Sequence, residues 1–178
     1  MPVKIENNST LKAPVDIEKL INSVFDSVPR EHTIGITKVV IVDEITLDRR
    51  LQLATKDPQP ILYHPKTPLN PAYIEIALAR FLLKGEAFHK RLMARLNFRA
   101  QVAGALLATI GQHYHISFSH GMKKKRAPEA PVRTYAERNF VLWRDKHGGL
   151  RAKLLKPLRP YLERFERWLL RKMKETKR

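Results

Sequence analysis

Residues 98–115 read FRAQVAGALLATIGQHYH. Val102, Ala105, Leu106 and Thr109 recur at helical spacing, and Ala103, Gly104 and Ala108 are small enough for another element to approach closely. The spacing predicts one buried helix over Phe98–His115, with the rest of the chain arranged around it.

Upstream, the pattern is that of a small sheet with one amphipathic helix. Asp16–Ser27 predicts a short helix capped by Asp16, with Ile17, Leu20, Ile21, Val24 and Phe25 on one face and Pro29 as its stop. Ile34–Val42, IGITKVVIV, is β-branched and nearly continuous, as a central strand would be. Asp43–Ala54 fits either a second extended segment or a bent connection. Pro58, Pro60, Pro65, Pro68 and Pro71 then punctuate ILYH and AYIEIAL, which read as edge strands or the loops between them. Gly85 breaks the basic and apolar stretch Leu82–Arg95. Met1–Pro14 is polar and reads as a flexible N-terminus, residues 1–14.

A chain of 178 residues is long enough to bury a real core, and 43% hydrophobic content fits one globular domain. There is no cysteine, so disulfides and thiolate metal sites are excluded. No signal-peptide pattern opens the chain, and no apolar run approaches the roughly 18 residues of a membrane span, so the expected location is cytoplasmic. The net charge of +17 is unevenly placed. Residues 1–120 carry 15 Lys/Arg against 11 Asp/Glu, a net +4, whereas residues 121–178 carry 19 against 6, a net +13. Such asymmetry fits a polyanionic partner, or else a solvated charged face.

The end of the predicted helix, Leu106–His115 or LLATIGQHYH, resembles the zinc-binding helix of zincin metallopeptidases, the LLHEIGHHxH form of HExxH. Leu106, Leu107, Ile110, Gly111, His113 and His115 match the frame. The resemblance puts the first ligand histidine on Ala108, the catalytic glutamate on Thr109 and the second ligand histidine on Gln112. HExxH depends on two imidazoles four residues apart sharing a helix face and on a carboxylate that takes a proton from the zinc-bound water. Ala108 has no ligand atom, Thr109 has no carboxylate, and Gln112 is a poor zinc ligand. Downstream, Glu129–Ala136 (EAPVRTYA) resembles the family's ExxAD-type helix, which supplies a third ligand. Glu129 falls on that ligand position, Val132 on the small apolar one and Arg133 on the acidic one, and the Tyr135-Ala136 pair also matches. The resemblance spans residues 34–145. It implies a small sheet before the motif helix, with an edge strand, Ala72–Ala77, bordering the substrate cleft.

Other chemistry is sparse. His113, His115 and His120 lie close together with Glu129 downstream, all usable zinc ligands, but His113 and His115 point to different sides of a helix and read first as surface histidines near its terminus. His32, His64, His89 and His147 form no pattern. Asp43, Glu44 and Asp48 read as a strand-end loop, since no second acidic cluster accompanies them. There is no GxSxG and no phosphate-cradling glycine loop.

The basic third has two parts. Lys123, Lys124, Lys125 and Arg126 form one run that can neutralise phosphates without selecting sequence. Beyond Gly148-Gly149, Leu150, Leu154, Leu155 and Leu158 form an apolar stripe. Past Pro157 and Pro160, a second stripe holds Tyr161, Leu162, Phe165, Trp168, Leu169 and Met173, while Arg159, Arg164, Arg167, Arg171, Lys172 and Lys174 face elsewhere. Such a helix docks on a core and shows its charges to nucleic acid, or lies on an anionic membrane.

The expectation is an α+β fold: a small sheet, then a buried motif helix and further helices, zincin-like over residues 15–147, with a basic amphipathic segment at 150–178. The expected role is a catalytically inactive pseudo-metallopeptidase acting as a binding or scaffold module, with no zinc or other cofactor. The expected partner is a polyanion, nucleic acid ahead of a membrane surface, and a protein partner is compatible. The alternatives are a nucleic-acid-binding protein working through its C-terminal third, and an active metallohydrolase using His113, His115 or His120 with Glu129.

Overall fold

The β-branched run Ile36–Val42 (β2) lies inside a four-stranded mixed sheet. Lys4–Asn7 (β1) pairs with it on one side and Ala72–Ala77 (β4) on the other, both parallel. Ile61–His64 (β3) adds to β4 antiparallel and forms the second edge, giving the order β1-β2-β4-β3. The structure, a computed structural model, describes residues 3–45, 60–68, 70–83, 86–118 and 129–147. Within these the architecture is α+β, four strands and four α-helices, as the sequence predicts.

Two expectations about the sheet are corrected. Ala72–Ala77 is not the edge strand: it is hydrogen-bonded on both sides, and Ala72, Ile74, Ile76 and Ala77 are buried. The edge strand beside it is β3, and Pro60 just before β3 supplies the carbonyl that accepts from the Ala77 amide. Pro71 stands just before β4, where its missing N–H costs the ladder nothing. Residues 4–7 are not a flexible tail either, because they are the first strand. The segment after them is tied to Asp43 at the end of β2. The Asp43 carboxylate accepts from the amides of Thr10 (3.0 Å) and Leu11 (3.2 Å), from the Thr10 hydroxyl (2.6 Å) and from the Ser9 hydroxyl. The hydrogen bonds from Ser9 and Thr10 hold its carboxyl below the usual range. Asp43 is thus a strand-end anchor, and Asp48 lies outside the described residues.

Alternation sends Val39, Ile41, Ile74 and Ile76 to one face, where all four are fully buried. Glu6, Lys38, Tyr73, Glu75 and His64 share the other. There Lys38 pairs with Glu6 at 2.8 Å, and His64 stacks on Tyr73 (4.1 Å, 7°) while donating to Glu75 at 3.0 Å.

Helices cover the apolar face. Ile17–Phe25 (α1) starts where Asp16 accepts from the Lys19 amide, and it buries Ile17, Leu20, Ile21 and Val24. A 3₁₀ turn at Arg30–Thr33 follows, and Gly35, at φ +100, turns the chain into β2. Leu78–Leu82 (α2) continues directly from β4 and closes on Leu83 in the left-handed conformation. Phe88–Phe118 (α3) is 31 residues long and contains the predicted buried helix. Its first turns bury only Ala94 and Phe98; from Val102 onward it enters the core through Ala103, Leu106, Leu107 and Ile110. It packs against α1, α2, the 3₁₀ turn and β3.

Glu129–His147 (α4) is the last described helix. Pro131 is tolerated in its first turn, where amides have no intrahelical partner. Contacts divide the chain into two units, Met1–Phe140 and Val141–Arg178. Of the second only Val141–His147 is described, and there Trp143 is buried with its ring 6.5 Å from that of His147. The expected segment 150–178 lies outside the described residues.

Candidate functional site

The histidine-rich end of α3 meets the 3₁₀ turn, β3 and the first half of α4. His113 is 3% exposed, not on the surface as expected. Its Nε2 lies 2.8 Å from the Ile34 carbonyl and its Nδ1 lies 2.7 Å from the Tyr63 hydroxyl. A carbonyl only accepts, so Nε2 carries the proton and Nδ1 accepts from Tyr63. Burial lowers the His113 pKa and raises that of Tyr63, so both are neutral at pH 7. Ser117 Oγ stands 3.4 Å from the same Nδ1. His113 therefore ties three elements together, with both ring nitrogens engaged.

Beside it sits a second cluster. The Tyr135 hydroxyl and His32 Nδ1 share a 2.8 Å hydrogen bond, and the His32 ring lies 4.1 Å from the Tyr114 ring. Tyr114 and Tyr135 stack at 5.9 Å, and His115 meets both rings edge-on. Burial, then the neighbouring Tyr114, pushes the Tyr135 hydroxyl up to about 12. Burial lowers the His32 pKa, with His115 adding to the effect against Glu31. Asn139 is buried and donates to the Tyr135 carbonyl at 2.9 Å, so this face of α4 is held from within.

Gly111 explains how Tyr135 fits. A Cβ there would meet Tyr135 Cδ1 at 2.7 Å and Cγ at 3.2 Å. About two turns back, a Cβ on Gly104 would stand 3.9 Å from Phe140 Cδ2. Gly104 faces Phe140 and Gly111 faces Tyr135, so α3 and this part of α4 run antiparallel. Glu129 lies six residues before Tyr135, about 9 Å further along the helix, beyond the level of Gly111.

No protein-family model, curated protein or solved structure matches this chain. The site is therefore read from its own residues.

Those at the three chemical positions do not fit a zinc centre. Ala108 and Gln112 are half-buried on α3, and Ala108 has no donor atom. Thr109 is 8% exposed and gives its hydroxyl to the Ala105 carbonyl at 2.9 Å. Glu129 is an exposed first residue of α4, where a carboxylate suits the helix dipole. Arg133 pairs with Glu137 at 2.8 Å on the solvent side. Of the weaker metal candidates, His113 is committed to Tyr63 and Ile34, His115 lies among the tyrosine rings, and His120 is outside the described residues. Among the described residues, no three His, Asp or Glu side chains converge as a metal site. The polyanion candidates Lys123–Arg126 and Arg159, Arg164, Arg167, Arg171, Lys172 and Lys174 also lie outside them. No helix among the described residues is long and apolar enough to cross a membrane.

The sequence reading missed His32, Tyr63 and Gly35. His32 reaches Tyr135 across 103 positions and Tyr63 reaches His113 across 50, so no local periodicity signals either contact. Gly35 was the one legible hint: a glycine opening a β-branched run often marks a positive φ or a close approach. Here it is both, since a Cβ on it would lie 3.5 Å from His113 Cε1.

Proposed function

We propose that this chain is a non-catalytic binding module on a zincin-like frame, a pseudo-metallopeptidase. One observation carries the reading: the frame positions of the two matched stretches are packed or hydrogen-bonded, while the three chemical positions of the motif helix carry no histidine ligand and no carboxylate base. Leu106, Leu107 and Ile110 are fully buried, His113 is locked by two hydrogen bonds, and Gly111 and Tyr135, one from each stretch, pack against each other. A sheet that precedes the motif helix and carries an antiparallel edge strand supports the same frame. Ala108, Thr109 and Gln112 offer neither a histidine pair nor a general base. The engaged nitrogens of His113 weigh against the rearranged metallohydrolase.

The charge of +17, concentrated after residue 120, supports a polyanion, nucleic acid first, as the partner of this cytoplasmic module. Metal content per chain, after purification without chelator or metal-affinity tag, tests the first half. Substoichiometric zinc is expected, and one zinc per chain would overturn the reading. Titration of labelled DNA and RNA at rising salt tests the second. Binding that weakens steeply with salt is expected, and none at low salt would remove nucleic acid as partner. In a folded Ala108→His/Thr109→Glu/Gln112→His variant, acquired zinc affinity would support the alignment and its failure would count against it.

A further inference from the structure

The first turns of α3 carry a surface that the reading above does not use. Phe88, Leu92 and Leu96 follow one another at intervals of four and form a ridge along the helix. They are 72%, 47% and 58% exposed, and Met93 beside them is 56% exposed. The opposite side of the same turns is anchored by the buried Ala94 and Phe98, so the exposed ridge is held in place. The neighbouring ridge is Arg91, Arg95 and Arg99, again at intervals of four and all exposed.

Between α3 and the segment after β1 lies an open groove of about 380 Å³. Its apolar lining is Leu11, Leu82, Phe88 and Leu92. Its charged lining is Lys12, Arg91 and Arg95, and among the described residues no carboxylate lines it. The anchoring of Ser9–Leu11 on Asp43 fixes the wall that carries Leu11 and Lys12.

We propose that this groove receives an acidic amphipathic helix of a partner protein. Apolar residues of the partner at i, i+4 and i+7 would lie along Phe88, Leu92 and Leu96, and its Asp or Glu side chains would meet Lys12, Arg91 and Arg95. From Phe88 to Leu96 the ridge runs about 12 Å, the length of the two helical turns such a triplet occupies. Concavity separates this occupant from a membrane. Lys12 belongs to one wall and Arg91 and Arg95 to α3, so the cations and the apolar residues line a concave site, whereas a helix lying in a bilayer interface presents its apolar face outermost on a convex surface. Charge separates it from the chain's own basic stretches, Lys123–Arg126 and residues 150–178, whose net charge has the same sign as the three cations. The inference goes beyond the proposed pseudoenzyme and does not depend on it.

The test is selection of a displayed library of helical peptides, each about 16 residues or roughly four turns, on the full chain. Selected peptides are expected to carry a net negative charge and apolar residues at i, i+4 and i+7. The tightest is then titrated against Phe88→Ser/Leu92→Ser, which keeps every charge, and against Arg91→Glu/Arg95→Glu. All four positions are exposed, so folding is spared. Each pair should weaken binding at least about tenfold. An unchanged affinity in Phe88→Ser/Leu92→Ser would mean mere attraction to the basic chain and would overturn the proposal. So would selection of neutral or basic peptides, or of none. Vesicles of phosphatidylserine and phosphatidylcholine and a DNA duplex are titrated alongside. If Phe88→Ser/Leu92→Ser removes binding to either while no acidic peptide is enriched, the groove serves that ligand and the proposal fails.

Discussion

Replacing Gly111 by alanine adds a single methyl group at the point where α3 and α4 touch. Two terms oppose each other. Alanine in a helix interior is favoured over glycine by about 1 kcal/mol. Against this, the new Cβ would lie 2.7 Å from Tyr135 Cδ1, so reaching ordinary contact requires about 1 Å of movement. The atoms in the way are the near edge of the ring, not a flexible tip. The ring's far end is bonded to His32 and its face stacks on Tyr114, so it has little freedom to retreat. Overpacking of this kind costs about 1–3 kcal/mol. The net expectation is a loss of about 1 kcal/mol. Gly104→Ala is the internal control: its Cβ would stand 3.9 Å from Phe140, so the helix-propensity gain of about 0.5–1 kcal/mol should appear unopposed. Urea unfolding of the full chain, followed by circular dichroism, measures both. In a Tyr135→Ala background the Gly111→Ala cost should vanish, a coupling of about 1–3 kcal/mol. If Gly111→Ala stabilises as much as Gly104→Ala, or costs the same without the Tyr135 ring, the packing argument is wrong.

Three further outcomes are expected. Tyr63→Phe leaves the buried Nδ1 of His113 without its hydroxyl donor and should lower stability by about 1–2 kcal/mol in the same assay. His113 and His32 have folded pKa values below the ordinary 6.5, so the unfolded chain takes up their protons first on acidification. Stability should be full above pH 6.5 and fall as pH drops toward the folded values, by at most about 1.4 kcal/mol per pH unit for each proton. A His113→Gln variant with an undiminished acid slope would refute that assignment. Asp43→Asn should release residues 9–11 from the end of β2 and speed amide exchange there by about tenfold or more, read by hydrogen exchange with mass spectrometry. Unaltered exchange would show that strand pairing alone holds the segment.

Local features were legible from the chain alone. The Asp16 cap and the apolar face of α1, the β-branched β2 and the buried stretch of α3 each depend on neighbours within a few positions, and each formed as predicted. Composition and charge likewise depend on no contact. What stayed hidden were decisions made between distant segments. Which of ILYH and AYIEIA is the edge depends on the partners each finds in the sheet, and both are short apolar runs next to proline. A polar, proline-ended N-terminus carries no mark of the strand it becomes once β2 offers a free edge. His113, by its spacing near a helix end, looks like a surface residue. Only the folded chain brings the Ile34 carbonyl and the Tyr63 hydroxyl to its two nitrogens, and those bonds make its burial tolerable. The motif positions Ala108, Thr109 and Gln112 are determined by the sequence, because a missing ligand atom is a matter of residue identity. The close approach that makes Gly111 necessary was decided by tertiary structure, because it exists only when the ring of Tyr135 lies against α3.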